Sequence, residues 1–174
     1  MDWPITGTPT WAERQTYGPK LTPVQFAEYV HAASTEPLAW RHIHFVATMM
    51  NENGLQAWAR PLVWKPGNEA HLSVDRGVCA LNSRWWAHVR DFDAYEPAAA
   101  VGVAIGFCEE EAAKGTRGAK LWDWGPILDW QWHGYALDLD VNSDPAAVER
   151  YRAFLPEARA AVNAVRAANN LTAL

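Results

Sequence analysis

The chain has 174 residues, 49% of them hydrophobic, which suits one domain with a real core and argues against wholesale disorder. A net charge of -5, with Lys and Arg scattered, argues against nucleic acid and against anionic membranes, since both need clustered cations. Two cysteines make no disulfide framework, and the most apolar run, Ala98 to Cys108, is too short to span a bilayer.

Residues 1–21 hold Pro4, Gly7, Pro9, Gly18 and Pro19, and are expected to form an extended arm. Met1-Asp2-Trp3-Pro4 has neither a basic n-region nor an apolar h-region, so no secretory signal is expected. Thr22-Pro23 reads as a helix start, and Phe26, Tyr29, Val30 and Ala33 supply one apolar stripe. A second helix is predicted from about Glu36 to Asn53, with Leu38, Trp40, Ile43, Val46, Ala47 and Met50 on a broad buried face. Gly54 ends it by supplying a left-handed residue.

Leu55 to Leu72 contains Pro61, Pro66 and Gly67 without a sustained period, and reads as a long, partly extended lobe. Ser73 to Asn82 predicts a turn with a short strand, Ser83 to Val89 a short helix or turn, and Asp91-Phe92-Asp93 a cap for the next helix. Glu96-Pro97 opens a helix running to about Lys114 and closed by Gly115. Its first half is apolar nearly all round, which predicts a buried central helix, with Gly102 and Gly106 allowing close approach of another. Four Trp lie between Lys120 and Tyr135. A last helix is predicted from about Asp144, kinked or split at Pro156.

Several residue types suggest chemistry by themselves. Eleven Trp is far above ordinary usage; indole faces suit sugars, and equally fill cores. Trp122, Trp124, Trp130 and Trp132 are assigned to packing or interfaces. The six His are dispersed, with His42 and His44 on opposing sides of a helix, and neither Cys79 nor Cys108 sits in a CxxC, so no zinc site and no other cofactor are expected. The two thiols are expected to be ordinary buried ones. Glu52, at a helix C-terminus just before a long loop, is the notable acid. Unpaired helix carbonyls and apolar neighbours such as Met49 and Met50 would both raise its pKa.

In order, the pieces are Glu52-Asn53-Gly54, the block Ser73-Val74-Asp75-Arg76-Gly77-Val78-Cys79-Ala80-Leu81-Asn82-Ser83-Arg84-Trp85, the helix from Pro97, and Trp130 to Tyr135. Over about residues 22 to 140 the chain resembles the lysozyme-like superfamily, in its lytic transglycosylase and goose-type lysozyme branch, closest to lysozyme-like proteins of phages infecting actinobacteria. The resemblance implies a mainly α (α+β, lysozyme-like) fold: a helical bundle around a buried central helix, with a small loop and short-strand lobe forming a cleft. On this reading the organisation is an arm over 1–21, a catalytic domain over 22–140 and a helical extension over 141–174. The family's Ser after the acid is here Asn53, its Gln is Ala80, and the aromatic or Leu before that is Cys79. Ala80 removes a substrate hydrogen-bond partner.

The implied activity is cleavage of the peptidoglycan MurNAc–GlcNAc β-1,4 bond by a muramidase or a lytic transglycosylase, without a cofactor. Glu52 would be the acid/base, or otherwise an exposed helix-end Glu with no role. Inverting hydrolysis needs a second carboxylate about 6.5–9.5 Å away; Asp75 could fill that role, or cap the Gly77 turn or pair with Arg76. Asp91 and Asp93 are runners-up, otherwise helix-start residues. A transglycosylase instead uses the muramic acid C6 hydroxyl, leaving a 1,6-anhydro end. Ser73, Asn82, Trp85 and Tyr135 are the candidate substrate-binding residues; for Ser73, Asn82 and Tyr135 the alternatives are turn capping, turn stabilisation and core packing in that order. Trp85 and Trp86 would both line the cleft, or one would bury while the other stacks. The resemblance implies peptidoglycan glycan strands and other phage tail proteins as partners, and a virion or extracellular cell-wall location. Two rival readings remain: a catalytically impaired lysozyme-like structural virion (tail) protein, and a non-cleaving glycan-binding module.

Overall fold

Thr22 starts the first helix as the sequence suggests. Its hydroxyl accepts from the Gln25 amide, while the Gln25 side chain accepts from the Thr22 amide, a reciprocal cap ahead of α1 (Pro23–Ala33). The computed structural model describes residues 19–58, 62–63, 73–83, 85–132 and 145–174. Among these the protein is mainly helical. Following α1 come α2 (Trp40–Asn53), the short strands β1 (Leu62–Val63) and β2 (Ser73–Val74), α3 (Asp91–Tyr95), α4 (Pro97–Lys114), a 3-10 turn (Thr116–Gly118), α5 (Gly125–Gln131) and α6 (Pro145–Ala168). The strands pair antiparallel, Leu62 opposite Val74 and Val63 opposite Ser73.

The second helix begins at Trp40 rather than near Glu36. Pro37 disfavours helical geometry at Glu36, and a ring nitrogen supplies the later start: His42 Nδ1 accepts from the Ala39 amide at 2.8 Å. Every residue from His42 to Met50 except His44 is buried, so α2 is the enclosed helix of the bundle. Fully burying Ile43, Phe45, Val46 and Met49 stabilises by ~1.5–3 kcal/mol each.

The expectation of a buried central helix at Pro97–Lys114 is thereby corrected. Only one stripe of α4 is buried (Pro97, Ala100, Val101, Ala104, Ile105, Cys108 and Ala112), while Ala98 and Gly106 are exposed. Small residues make the run apolar without giving its outer face much side chain to hide. The expected close approach at Gly102 and Gly106 is also absent, since a Cβ at either would meet nothing within 4 Å.

Helix α6 runs as one element through Pro156 instead of splitting. A helix-interior proline costs ~3 kcal/mol or more, and here packing offsets it: Tyr151, Ala158, Ala161, Val162 and Val165 join the main core, against α2 and α1. The arm over residues 1–18 lies outside the described residues. Pro19 to Leu21 run beside the chain just after α2, with Leu21 N donating to Leu55 O and Ala57 N to Pro19 O. Among the described residues no helix is long and apolar enough to cross a membrane.

Candidate functional site

Glu52 occupies the last turn of α2, and Gly54 closes that helix with φ +62°. Residue Glu52 is partly exposed, yet its Oε1 is buried and lacks a hydrogen-bond partner among the described residues. Burial pushes its pKa up to about 7, the nearby Asp75 carboxylate pushes in the same direction, and a hydrogen bond from the Asn51 side chain opposes them. A carboxyl in such a place keeps its proton near neutrality, as a general acid must. The main cause is loss of water around the side chain, with like charge second.

Asp75 follows β2 and opens a tight loop. Arg76 and Leu81 exchange backbone hydrogen bonds, N to O at 3.2 and 2.9 Å, and Ala80 N donates to Gly77 O. That pairing sets Asp75 and Asn82, the next residues outward, opposite each other, and Asn82 Nδ2 donates to Asp75 Oδ1 at 2.7 Å. The loop's inner residues Val78, Cys79 and Leu81 are buried, and Trp132 Nε1 donates to Cys79 O at 2.7 Å. Gly77 has φ +69°, and a Cβ there would lie 1.8 Å from Ala94 O, so this glycine lets the loop touch α3. Ala80 is also left-handed, at φ 49°, a conformation that costs a non-glycine residue on the order of 1–2 kcal/mol.

Arg76 has a different role from the expected pairing with Asp75. It is 5% exposed and turns inward: Nε donates to Leu81 O, one terminal nitrogen to Val89 O and Asp91 Oδ1, the other to Trp86 O. Asp91, in the first turn of α3, is therefore the carboxylate that neutralises Arg76. Asp93 pairs with Arg90, which holds its carboxyl below the usual range. Both runner-up acids have helix-start and ion-pair roles, and Glu52 responds to Asp75 instead.

Among the candidate substrate-binding residues, Asn82 is brought to Asp75, as described. Trp85 is 68% exposed while Trp86 is buried against Phe107 and Trp132, so the two indoles do not share one environment. Ser73 is placed by its backbone in β2, and its side chain lies outside the described part. Tyr135 lies outside the described residues, as do 59–61 and 64–72, the bulk of the expected lobe. Of the four later Trp, Trp124 and Trp132 are core residues, whereas Trp122 and Trp130 are exposed beside Lys120 and Arg117.

The sequence marks Asn53 as the end of a helix; the contacts of its side chain come only with the fold. It donates from Nδ2 to Gly77 O at 3.0 Å and Val78 O at 2.8 Å, and its Oδ1 accepts from Leu55 N at 2.9 Å. No family model, curated protein or solved structure matches this chain.

Elsewhere, His42 is fully buried, with Nε2 3.2 Å from Ser34 Oγ; burial pushes its pKa down to about 3, with Arg41 adding to the effect. It serves as a neutral cap. His44 meets the Tyr151 hydroxyl at 2.5 Å between α2 and α6. Cys79 and Cys108 are free, buried thiols whose pKa values burial raises. Among the described residues no group of three or more His, Cys, Asp or Glu converges in a way that could hold a metal ion.

Proposed function

We propose that this chain is a lysozyme-like glycosidase or lytic transglycosylase acting on the MurNAc–GlcNAc β-1,4 bond of peptidoglycan, with Glu52 as its acid/base. One observation supports the reading above the others. A carboxyl at a helix end keeps a buried oxygen with no hydrogen-bond partner among the described residues, and its pKa is raised to about 7 by burial and by Asp75. Leaving a buried polar atom unpaired costs ~1–3 kcal/mol, and a charge on it costs more, so this carboxyl favours the protonated form that a general acid needs.

Glu52 protonates the leaving oxygen as positive charge develops on the sugar ring. In the hydrolytic route Asp75, steadied by Asn82, takes a proton from water, and that water attacks the anomeric carbon. In the transglycosylase route the C6 hydroxyl attacks and gives its proton to ionised Glu52, closing a 1,6-anhydro ring. Trp85, 68% exposed, is the indole proposed to meet the glycan. The resemblance to phage proteins supports a role in opening the wall locally from the virion.

The test compares the native chain with Glu52→Gln on purified peptidoglycan. Native protein should release soluble muropeptides and the variant at least about a hundredfold fewer, since general acid catalysis supplies about 10²–10⁴-fold. Release of 1,6-anhydro ends would assign the transglycosylase and new reducing ends the hydrolase. If the native chain releases nothing, the enzyme reading is wrong, and the non-cleaving alternatives replace it.

A further inference from the structure

Among the described residues, the side chain of Asn53 ties the Glu52 end of α2 to the loop that carries Asp75. Glu52 ends α2, whereas Asp75 belongs to a loop more than twenty residues later, and the Asp75 charge acts on Glu52 only while these pieces stay near each other. Asn53 follows Glu52 directly. Its carboxamide uses both acceptor and donor ends, taking Leu55 N at the turn out of α2 and giving to Gly77 O and Val78 O in the loop. Gly77 lies two residues beyond Asp75, on a loop fixed from its other side by Arg76 and by contact with Ala94.

We propose that Asn53 is a positioning residue: its carboxamide clamps the end of the Glu52 helix to the Asp75 loop and so sets the separation of the two acids. This rests on the reading of Glu52 and Asp75 as the reacting pair. A serine at this position has a single hydroxyl hydrogen and serves one of the two carbonyls; alanine serves neither. Asparagine is therefore the tighter clamp, and its use here is a change in the strength of the joint rather than a loss of a function.

The charged and polar groups acting on Glu52 are known among the described residues: Asp75 from the facing loop and Asn51 from its own helix. Arg76, although next to Asp75, directs its guanidinium to Leu81, Trp86, Val89 and Asp91. Loosening the clamp should therefore remove the like-charge effect of Asp75 and admit water, both of which lower the titration midpoint of Glu52. Mere destabilisation of the fold would leave that midpoint in place for the molecules still folded.

The experiment is an NMR titration of the Glu52 side-chain carboxyl carbon in the full chain, for native protein, Asn53→Ala and Asn53→Ser, each also in an Asp75→Asn background. The expected midpoint falls by about one pH unit in Asn53→Ala and by less in Asn53→Ser, and each drop is smaller once Asp75 is neutral. An unchanged midpoint in Asn53→Ala overturns the proposal, and so does an equal drop in both backgrounds. Should the alanine variant not fold, the serine variant answers the same question. Peptidoglycan release measured alongside separates the two claims. A shifted midpoint in a chain with no native activity sinks the enzyme reading but leaves the clamp; normal activity with an unmoved midpoint does the reverse.

Discussion

Replacing Glu52 by glutamine should abolish activity and, at alkaline pH, make the protein more stable. Glu52 has a folded pKa of about 7 against an ordinary value of 4.5. Between those values the folded state holds a proton that the unfolded chain has released. Stability from this group is complete below about pH 4.5 and is lost as pH rises through about 7. The gap corresponds to ~3 kcal/mol, at ~1.4 kcal/mol for each pH unit. Glutamine has nearly the same shape and stays neutral, so it resembles the protonated acid throughout. Urea unfolding at pH 4 and pH 8 measures this directly. At pH 4 the two proteins should differ little, whereas at pH 8 the variant should gain ~3 kcal/mol, or about 1.5 M in midpoint for a slope of about 2 kcal/mol/M. Native and variant proteins that differ equally at both pH values would refute the burial argument on which the proposed acid rests.

Glycine packing and a buried imidazole set three further outcomes. Gly77→Ala should cost more than ~3 kcal/mol in denaturant unfolding, because its Cβ would lie 1.8 Å from a backbone oxygen at φ +69°. Gly102→Ala, in the interior of α4 with nothing within 4 Å, should instead gain up to ~1 kcal/mol. His42, with its pKa pushed down to about 3, acts opposite to Glu52: its contribution is present above pH 6.5 and falls, at roughly 1.4 kcal/mol per pH unit, as pH drops toward 3. His42→Gln should therefore be less stable than native at pH 7 and lose less between pH 6 and 4 in the same unfolding assay.

Local chemistry made much of the architecture readable from the residues. Thr22-Pro23 starts α1, Glu96-Pro97 starts α4, and Gly54 and Gly115 end α2 and α4. Each of these signals acts within one turn of chain, by a cap, a fixed φ or a left-handed residue, so no distant contact was needed to make it. Ser73 to Asn82 was likewise readable as a short strand and turn, since Gly77 marks the bend.

Relations between distant segments were decided only on folding. The apolar run at Ala98–Cys108 misdirected the choice of central helix, because composition counts a Gly or Ala as apolar without saying how much surface it must hide; burial assigned that place to α2. Pro156 reads as a break until α6 is seen lying on α1 and α2. Arg76 reads as a natural partner for adjacent Asp75, yet alternation along extended chain sends neighbouring side chains to opposite sides, and the arginine turned to carbonyls of the interior. The sequence by itself determined where elements begin and end and that an acid closes one helix. Tertiary structure decided that one oxygen of this acid is buried, that Asp75 lies near enough to raise its pKa, and that Asn53 bonds to the Gly77 loop, because burial and approach in space are properties of the packed chain and of no single segment.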